Sequence, residues 1–149
     1  MKRRGLQLNR RHRWSLYAVS LVLLFTGVAW AWLHHLDQAG DHGGPWRALK
    51  PALMTIHGLM AAGFVLLLGT LLPVHVRHAW HARRNRNNGA FFLTIVSLLA
   101  LSGYTLYYLG DETLRARCSD IHLWLGAVSP LLLFWHIRSG RRAASKAQP

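Results

Sequence analysis

Hydrophobic residues are gathered into four runs separated by polar stretches. The runs extend from Ser15 to Leu33, from Ala52 to Val74, from Ala90 to Leu109 and from Ile121 to Ile137. Three of them are close to the length of about 20 residues that an α-helix needs to cross the hydrocarbon layer of a membrane. The fourth is shorter, but the polar residues on both sides can extend its helix. The pattern predicts an all-α membrane protein, a bundle of four transmembrane helices.

Charged residues alternate between basic and acidic stretches along the chain. The N-terminal tail, the second loop and the C-terminal tail hold fourteen basic residues and no acid: Lys2, Arg3, Arg4, Arg10, Arg11, Arg13, Arg77, Arg83, Arg84, Arg86, Arg138, Arg141, Arg142 and Lys146. All five acids fall in the other two loops, as Asp37, Asp41, Asp111, Glu112 and Asp120. Positive loops stay in the cytoplasm, so we predict that both termini and the second loop are cytoplasmic.

This sorting of charge also bears on partners and location. The net charge of +13 is typical of nucleic-acid-binding proteins. A soluble basic protein would not place its charges in alternate loops, so we predict membrane lipid and no nucleic acid as a partner. We divide the chain into a basic tail at 1–13, a membrane domain at 14–140 and a second cytoplasmic tail at 141–149. The expected location is the bacterial inner membrane, crossed several times.

The first apolar run has an alternative interpretation as a signal peptide. Ala29-Trp30-Ala31 imitates the small-x-small pattern of a cleavage site. The run is long for the apolar part of a signal peptide, and bulky Trp32 follows. These features favour a helix that is not cleaved.

Histidines occur in pairs on two of the predicted helices. His122 and His136 are fourteen residues apart, which places them within roughly 40° of the same helix face and about 21 Å apart along the axis. His57 and His75 are eighteen residues apart, or about five full turns, so they also share a face on a straight helix. Ionisable side chains inside a membrane are rare and usually functional. We therefore predict that these four histidines are ligands.

A weak internal repeat relates the two halves of the chain. Thr26-Gly27 and Ser102-Gly103 each precede an outer loop, and each loop is followed by a helix with two histidines. Two parallel helices of this kind can place one imidazole on each side of a flat ring. We predict two haems on this basis. The outer haem takes His57 and His122, and the inner haem takes His75 and His136.

Cysteine usage limits how a haem can be held. Cys118 is the only cysteine, so the chain has no CxxCH site and too few thiolates for an iron–sulfur cluster. Any haem is therefore a b-type haem that is bound by coordination alone. Iron with two histidine ligands has no open position, so it transfers electrons and does not bind oxygen.

The spacing of the two histidine pairs differs by four residues, or about 6 Å along a helix. Pro73 lies two residues before His75, and we expect it to bend the second helix. The remaining histidines, His34, His35, His42, His78 and His81, are expected to be solvated residues of loops and interfaces.

The arrangement resembles the four-helix di-haem cytochrome b superfamily, which includes membrane subunits of bacterial formate dehydrogenases and hydrogenases and small stand-alone cytochromes. The resemblance spans roughly Trp14 to Arg142. It rests on the spacing of His122 and His136, on His57 early in the second helix, and on a Ser-Gly pair before the final hairpin loop.

The resemblance also supplies a second candidate for the inner ligand. In several such subunits a histidine at the cytoplasmic start of the first helix, often followed by Trp, binds the inner haem. His12-Arg13-Trp14 partly matches this pattern, with one residue inserted. The inner ligand opposite His136 is therefore open between His75 and His12.

The family implies electron transfer across the membrane, between the quinone pool and a separate redox protein such as a periplasmic cytochrome c or a dehydrogenase subunit. The chain is too small for a flavin or molybdenum domain, so we expect an electron-transfer subunit and not a complete enzyme. One alternative is a metal-ion transporter or sensor that uses the same histidines, although the bundle would then be expected to contain acids. Another is an assembly subunit without a cofactor, which leaves the paired histidines unexplained.

Overall fold

The chain is helical throughout the residues that the computed structural model describes, which are 9–39, 44–81 and 85–145, and these ranges contain no strand. The α-helices are α1 (Arg10–Gln38), α2 (Leu49–Leu71), α3 (Arg77–His81), α4 (Arg86–Tyr108) and α5 (Glu112–Ser145). A 3₁₀ turn, Pro45–Ala48, leads into α2, and a π-helix, Leu72–Val76, joins α2 to α3. The predicted all-α class is confirmed.

Four helical segments are long and apolar enough to cross a membrane. They are Arg10–Gln38, Trp46–Leu71, Arg86–Tyr108 and Glu112–Ala143. Each covers all or most of one of the four apolar runs of the sequence. The prediction of a multi-pass membrane protein is therefore confirmed by length and composition.

The apolar side chains of these segments mostly face outward. Phe25, Leu66, Trp124 and Leu131 are each exposed by 70% or more of their surface. A protein in water rarely exposes so much contiguous apolar surface, whereas lipid tails provide an apolar surrounding. The exposure is therefore compatible with lipid contact along the helices.

Two compact units make up the structure, Met1–Gly69 and Thr70–Pro149. The first contains α1 and most of α2. The second contains the π-helix and α3, followed by α4 and α5, which pack against each other. Only Leu109, Gly110 and Asp111 connect α4 to α5, so these two helices form an antiparallel hairpin.

The helices extend further into the polar stretches than the apolar runs indicate. Asp111 Oδ1 accepts a hydrogen bond from the backbone N–H of Leu114 at 2.8 Å, so it caps the start of α5. Likewise, Asn9 caps α1 by accepting from the N–H of Arg11. Consequently α1 begins inside the predicted tail at 1–13, and α5 continues into the predicted tail at 141–149. The remaining residues of both tails lie outside the described ranges.

The prediction that all five acids lie in loops is corrected by the structure. Asp37 belongs to α1, where it pairs with Lys50, and Glu112 and Asp120 belong to α5. Asp111 remains in the connection, and Asp41 lies outside the described residues. The reason is that capping and ion pairing let polar residues continue a helix beyond its apolar part.

A proline interrupts the backbone hydrogen bonds of α5 between the two histidines. Pro130 has no N–H, so the carbonyl of Gly126, four residues earlier, lacks its usual donor. The hydroxyl of Ser129 donates to this carbonyl at 2.8 Å. The freed backbone group is thereby satisfied within the helix, as an apolar surrounding requires.

At Pro73, where a bend was expected, the structure has a π-helix from Leu72 to Val76. A π turn holds one residue more than an α turn, so it changes the rotational phase of the residues that follow. Eighteen residues return to the same face only on an uninterrupted α-helix. The π-helix interrupts the α-helix before His75, so this condition is not met.

Candidate functional site

His57 is held by two consecutive residues of α1. The hydroxyl of Thr26 lies 2.9 Å from Nδ1 of His57, and Thr26 is buried, with only 3% of its surface exposed. A Cβ atom on Gly27 would come within 3.4 Å of Cε1 of the same ring. The dipeptide therefore provides a hydrogen-bond partner and the space for the ring to approach the helix backbone.

His122 has the same surroundings in the second unit. The hydroxyl of Ser102 on α4 lies 2.8 Å from Nδ1 of His122. A Cβ atom on Gly103 would lie only 3.2 Å from Cε1 of the ring, which is tighter than nine in ten such contacts. The similarity of Thr26-Gly27 and Ser102-Gly103 in the sequence thus corresponds to equivalent contacts with a histidine of the next long helix.

His136 is held by a third dipeptide, Asn88-Gly89, in the first turn of α4. Oδ1 of Asn88 lies 2.7 Å from Nδ1 of His136, and a Cβ atom on Gly89 would lie 3.9 Å from Cε1. The ring of Phe92 stacks on the imidazole, with centroids 5.0 Å apart and planes 14° apart. A polar residue followed by glycine therefore recurs at each of these three histidines.

The hydrogen bonds favour one ring nitrogen as the site of the proton. Thr26 donates its hydroxyl hydrogen to the carbonyl of Val22 at 2.8 Å, and Ser102 donates its own to the carbonyl of Leu99 at 3.1 Å. With its hydrogen directed to a helix carbonyl, each hydroxyl oxygen can accept from Nδ1–H of its histidine. The amide oxygen of Asn88 can only accept. The Nδ1–H tautomer, with the lone pair on Nε2, is therefore favoured in all three imidazoles, and metal-binding histidines commonly have this arrangement.

The burial pattern agrees with a specific role for these partners. Among the described residues only Thr26, Asn88 and Val96 are buried. Two of these three are polar, and each of the two bonds a histidine. Burying a polar side chain is costly unless it is hydrogen-bonded. The most enclosed positions of the fold are thus used to orient imidazoles.

His75 lies beside His136 within the second unit. Their ring centroids are 6.5 Å apart, and the planes cross at 74°. A metal ion lies about 2.0 Å from the histidine nitrogen that binds it. With roughly 1.1 Å from that nitrogen to the ring centre, two imidazoles on opposite sides of one metal have centroids about 6 Å apart. The observed separation fits such a pair.

The position of His75 also favours its neutral form. His75 follows the apolar segment that ends at Leu71. Partial burial, together with the nearby His78, lowers the pKa of His75 below its ordinary value. The neutral imidazole is the form that binds a metal ion.

The other histidines lie at the ends of helices. His34 stacks on Trp30 with ring centroids 4.8 Å apart, and His81 bonds the carbonyl of Arg77 through Nδ1 at 2.7 Å. His35 and His78 are exposed, and His12 is half-buried in the first turn of α1. His42 lies outside the described residues. Within the described ranges there is no cluster of three or more His, Cys, Asp or Glu side chains that suits a metal ion.

The pattern of apolar residues does not single out Asn88 and Gly89, which lie just before the third apolar run. The structure places both in α4, which begins at Arg86 after Asn85 in a left-handed conformation. A signal for them was present. Asn88-Gly89 precedes Ser102-Gly103 by fourteen residues, and fourteen residues also separate the two histidines of α5. In an antiparallel pair, equal spacings bring both sets of residues into register.

Comparison with known proteins adds no assignment. No protein-family model matches the chain, and no curated protein or solved structure matches it.

Proposed function

We propose that this protein is a membrane-embedded di-haem b-type cytochrome that transfers electrons across the bacterial inner membrane. The observation that carries the proposal is the repeated set of a polar residue, a glycine and a histidine. Each set orients a histidine with its Nε2 lone pair available for coordination, in a helix that is apolar enough to cross a membrane. Structural packing alone does not require the same tautomer at His57, His122 and His136.

The ligand pairs follow from sequence and geometry together. His75 and His136 are proposed for the inner haem, and their separation of 6.5 Å suits two ligands of one metal. His57 and His122 are proposed for the outer haem on the basis of the sequence repeat. When bound, each haem supplies one-electron redox chemistry at an iron whose two axial positions are filled.

The chain's own residues have separate roles in this proposal. Gly27, Gly89 and Gly103 let an imidazole ring lie close to a helix backbone. Thr26, Ser102 and Asn88 accept the Nδ1–H proton and hold each ring in one orientation. The apolar outer faces of the helices keep these sites within lipid.

The proposed partners are those that a four-helix cytochrome b implies. Quinone or quinol in the membrane exchanges electrons with one haem. A separate protein, such as a periplasmic cytochrome c or a dehydrogenase subunit, exchanges electrons with the other. The protein thus acts as an electron-transfer subunit of an oxidoreductase system.

An absorption spectrum of the purified protein tests the proposal. We expect the reduced-minus-oxidised spectrum to show a b-type α band, and acid acetone to extract two haems per chain. His122→Ala and His136→Ala should each lower the content from two haems to one. His34→Ala is the matched control, because His34 is exposed near the end of α1, and it should retain both haems. A folded protein that contains no haem would refute the proposal.

The same preparation separates the alternatives. A colourless protein that binds zinc or copper through these histidines would indicate a metal-ion transporter or sensor. A colourless protein that binds no metal would indicate an assembly subunit.

A further inference from the structure

The side-chain partner of His136 is an amide. His136 donates to the amide oxygen of Asn88 at 2.7 Å, whereas the side chains of Thr26 and Ser102 present hydroxyl groups to His57 and His122, and His122 also bonds the backbone carbonyl of Leu99. An amide oxygen is a stronger acceptor than a hydroxyl oxygen, because amide resonance increases its negative charge. Asn88 therefore polarises the imidazole of His136 more strongly than a hydroxyl group in its place would.

The burial of Asn88 beside His136 is energetically unfavourable for its own amide nitrogen. Only 8% of its surface is exposed, and its Nδ2 has no hydrogen-bond partner among the described residues. An unpartnered buried donor is unfavourable. Serine would present an oxygen to His136 without this extra donor, as Ser102 does for His122. The presence of asparagine thus indicates that the stronger acceptor matters.

We infer that Asn88 is a positioning residue that fixes the tautomer of His136 and lowers the reduction potential of the inner haem. The inference rests on the proposed function. A strong acceptor at Nδ1–H makes Nε2 a better electron donor to the metal, and electron donation stabilises oxidised iron relative to reduced iron. The inner haem therefore becomes harder to reduce than it would be with a hydroxyl partner.

The contacts of His136 confine the influence of Asn88 to one imidazole. The imidazole stacks on Phe92 and lies beside Gly89, so its ring plane is held from two sides. Asn88 bonds no histidine other than His136 in the described part of the chain. Substitutions at Asn88 should therefore affect one haem and leave the other unchanged.

Redox titration of four variants tests the inference. Asn88→Asp should lower the midpoint potential of one haem, because a carboxylate is a still stronger acceptor. Asn88→Ser should raise it, and Asn88→Leu should raise it further and weaken retention of that haem by about 10- to 100-fold. Asn87→Ser is the control, since Asn87 is the exposed neighbour in the same turn, and both potentials should stay as in the wild type.

Several results would overturn the inference. They are unchanged potentials in the Asp and Ser variants, equal shifts of both haems, or a rise in the Asp variant. If the Leu variant fails to fold, the Asp and Ser variants decide the question, because both keep an acceptor oxygen.

A second readout separates this inference from the proposed function. Nitrogen NMR of histidine-labelled protein reports which ring nitrogen carries the proton, whether or not haem is bound. His136 should have its proton on Nδ1 in the wild type, and the Nδ1 signal should shift in the Asn88 variants. Absence of haem in the wild type would refute the cytochrome proposal, whereas an Nδ1 signal that is insensitive to Asn88 would refute the positioning role alone.

Discussion

The tightness of the contact between each glycine and its histidine differs among the three sites. A Cβ atom would lie 3.2 Å from the ring at Gly103, 3.4 Å at Gly27 and 3.9 Å at Gly89. The first distance requires the ring to move, whereas the last is an ordinary van der Waals contact. The glycines are therefore not equally replaceable.

Alanine substitutions should show this order. Gly103→Ala should displace His122 and cost about 1–3 kcal/mol of stability through overpacking, together with partial loss of the outer haem. Gly89→Ala should retain both haems. Gly63→Ala is the control, because a Cβ atom there meets nothing within 4 Å. Haem extraction measures the haem content, and unfolding in mixed detergent micelles measures the stability. Equal losses of haem and stability in the Gly103 and Gly63 variants would contradict the explanation by overpacking.

The inner ligand opposite His136 is a choice between two histidines. His75 lies beside His136 in the same unit, so we expect His75→Ala to lose the inner haem. His12→Ala should retain it. Counting haems by extraction from both variants decides the choice. Loss in the His12 variant with retention in the His75 variant would assign the ligand to the first helix.

The role of a single residue often depends on the side chains that surround it in the fold, and the sequence does not show these neighbours. His57, His122 and His136 could be proposed because a histidine in an apolar run is conspicuous, and His75 because it directly follows such a run. Thr26 and Ser102 could be noticed because they repeat. Asn88 was easily missed, since asparagine in a polar stretch is ordinary, and its fourteen-residue spacing from Ser102 gains a meaning only when α4 packs against α5 and Asn88 is buried against His136.

Among the helices, α5 shows how a membrane helix accommodates a proline. The hydroxyl of Ser129 donates to the Gly126 carbonyl that Pro130 leaves without a donor. Ser129 and Pro130 should therefore be energetically coupled. The effects of the two substitutions on the free energy of unfolding are not expected to be additive.

A double-mutant cycle measures this coupling. Ser129→Ala alone should cost about 0.6 kcal/mol and at most about 1.7 kcal/mol, which are the mean and the maximum for side-chain hydrogen bonds in membrane helices. In a Pro130→Ala background the backbone N–H returns, so the same serine substitution should cost almost nothing. An equal cost in both backgrounds would show that the hydroxyl does not serve the freed carbonyl.

The extent of the helices was predictable only in their apolar parts. Four runs of apolar residues define the lipid-crossing segments because length and hydropathy decide whether a helix spans a membrane. The π-helix at Leu72–Val76 and the early start of α5 depend on backbone hydrogen bonds and caps, which a pattern of apolar residues does not contain. This explains why the second apolar helix could be predicted, whereas the π-helix that contains His75 could not.

For the molecule as a whole, charge decides orientation. Fourteen of the eighteen basic residues lie in the three regions predicted to be cytoplasmic, which leaves four elsewhere. A reporter that is active only in the cytoplasm should therefore be active when it is fused after Pro149. The same reporter should be inactive when it is inserted at Gly110, between α4 and α5, because this connection is expected to lie in the periplasm. An inactive C-terminal fusion together with an active fusion at Gly110 would reverse the topology.

The matched spacing of α4 and α5 restricts how their lengths can change during evolution. One residue inserted between Gly89 and Gly103 turns one end of α4 by about 100° relative to the other, so only one of the two histidine contacts survives. A second insertion between His122 and His136 restores the register, whereas length changes in the connection at Leu109–Asp111 leave both contacts intact. Insertions and deletions within these helices are therefore tolerated only in matched pairs.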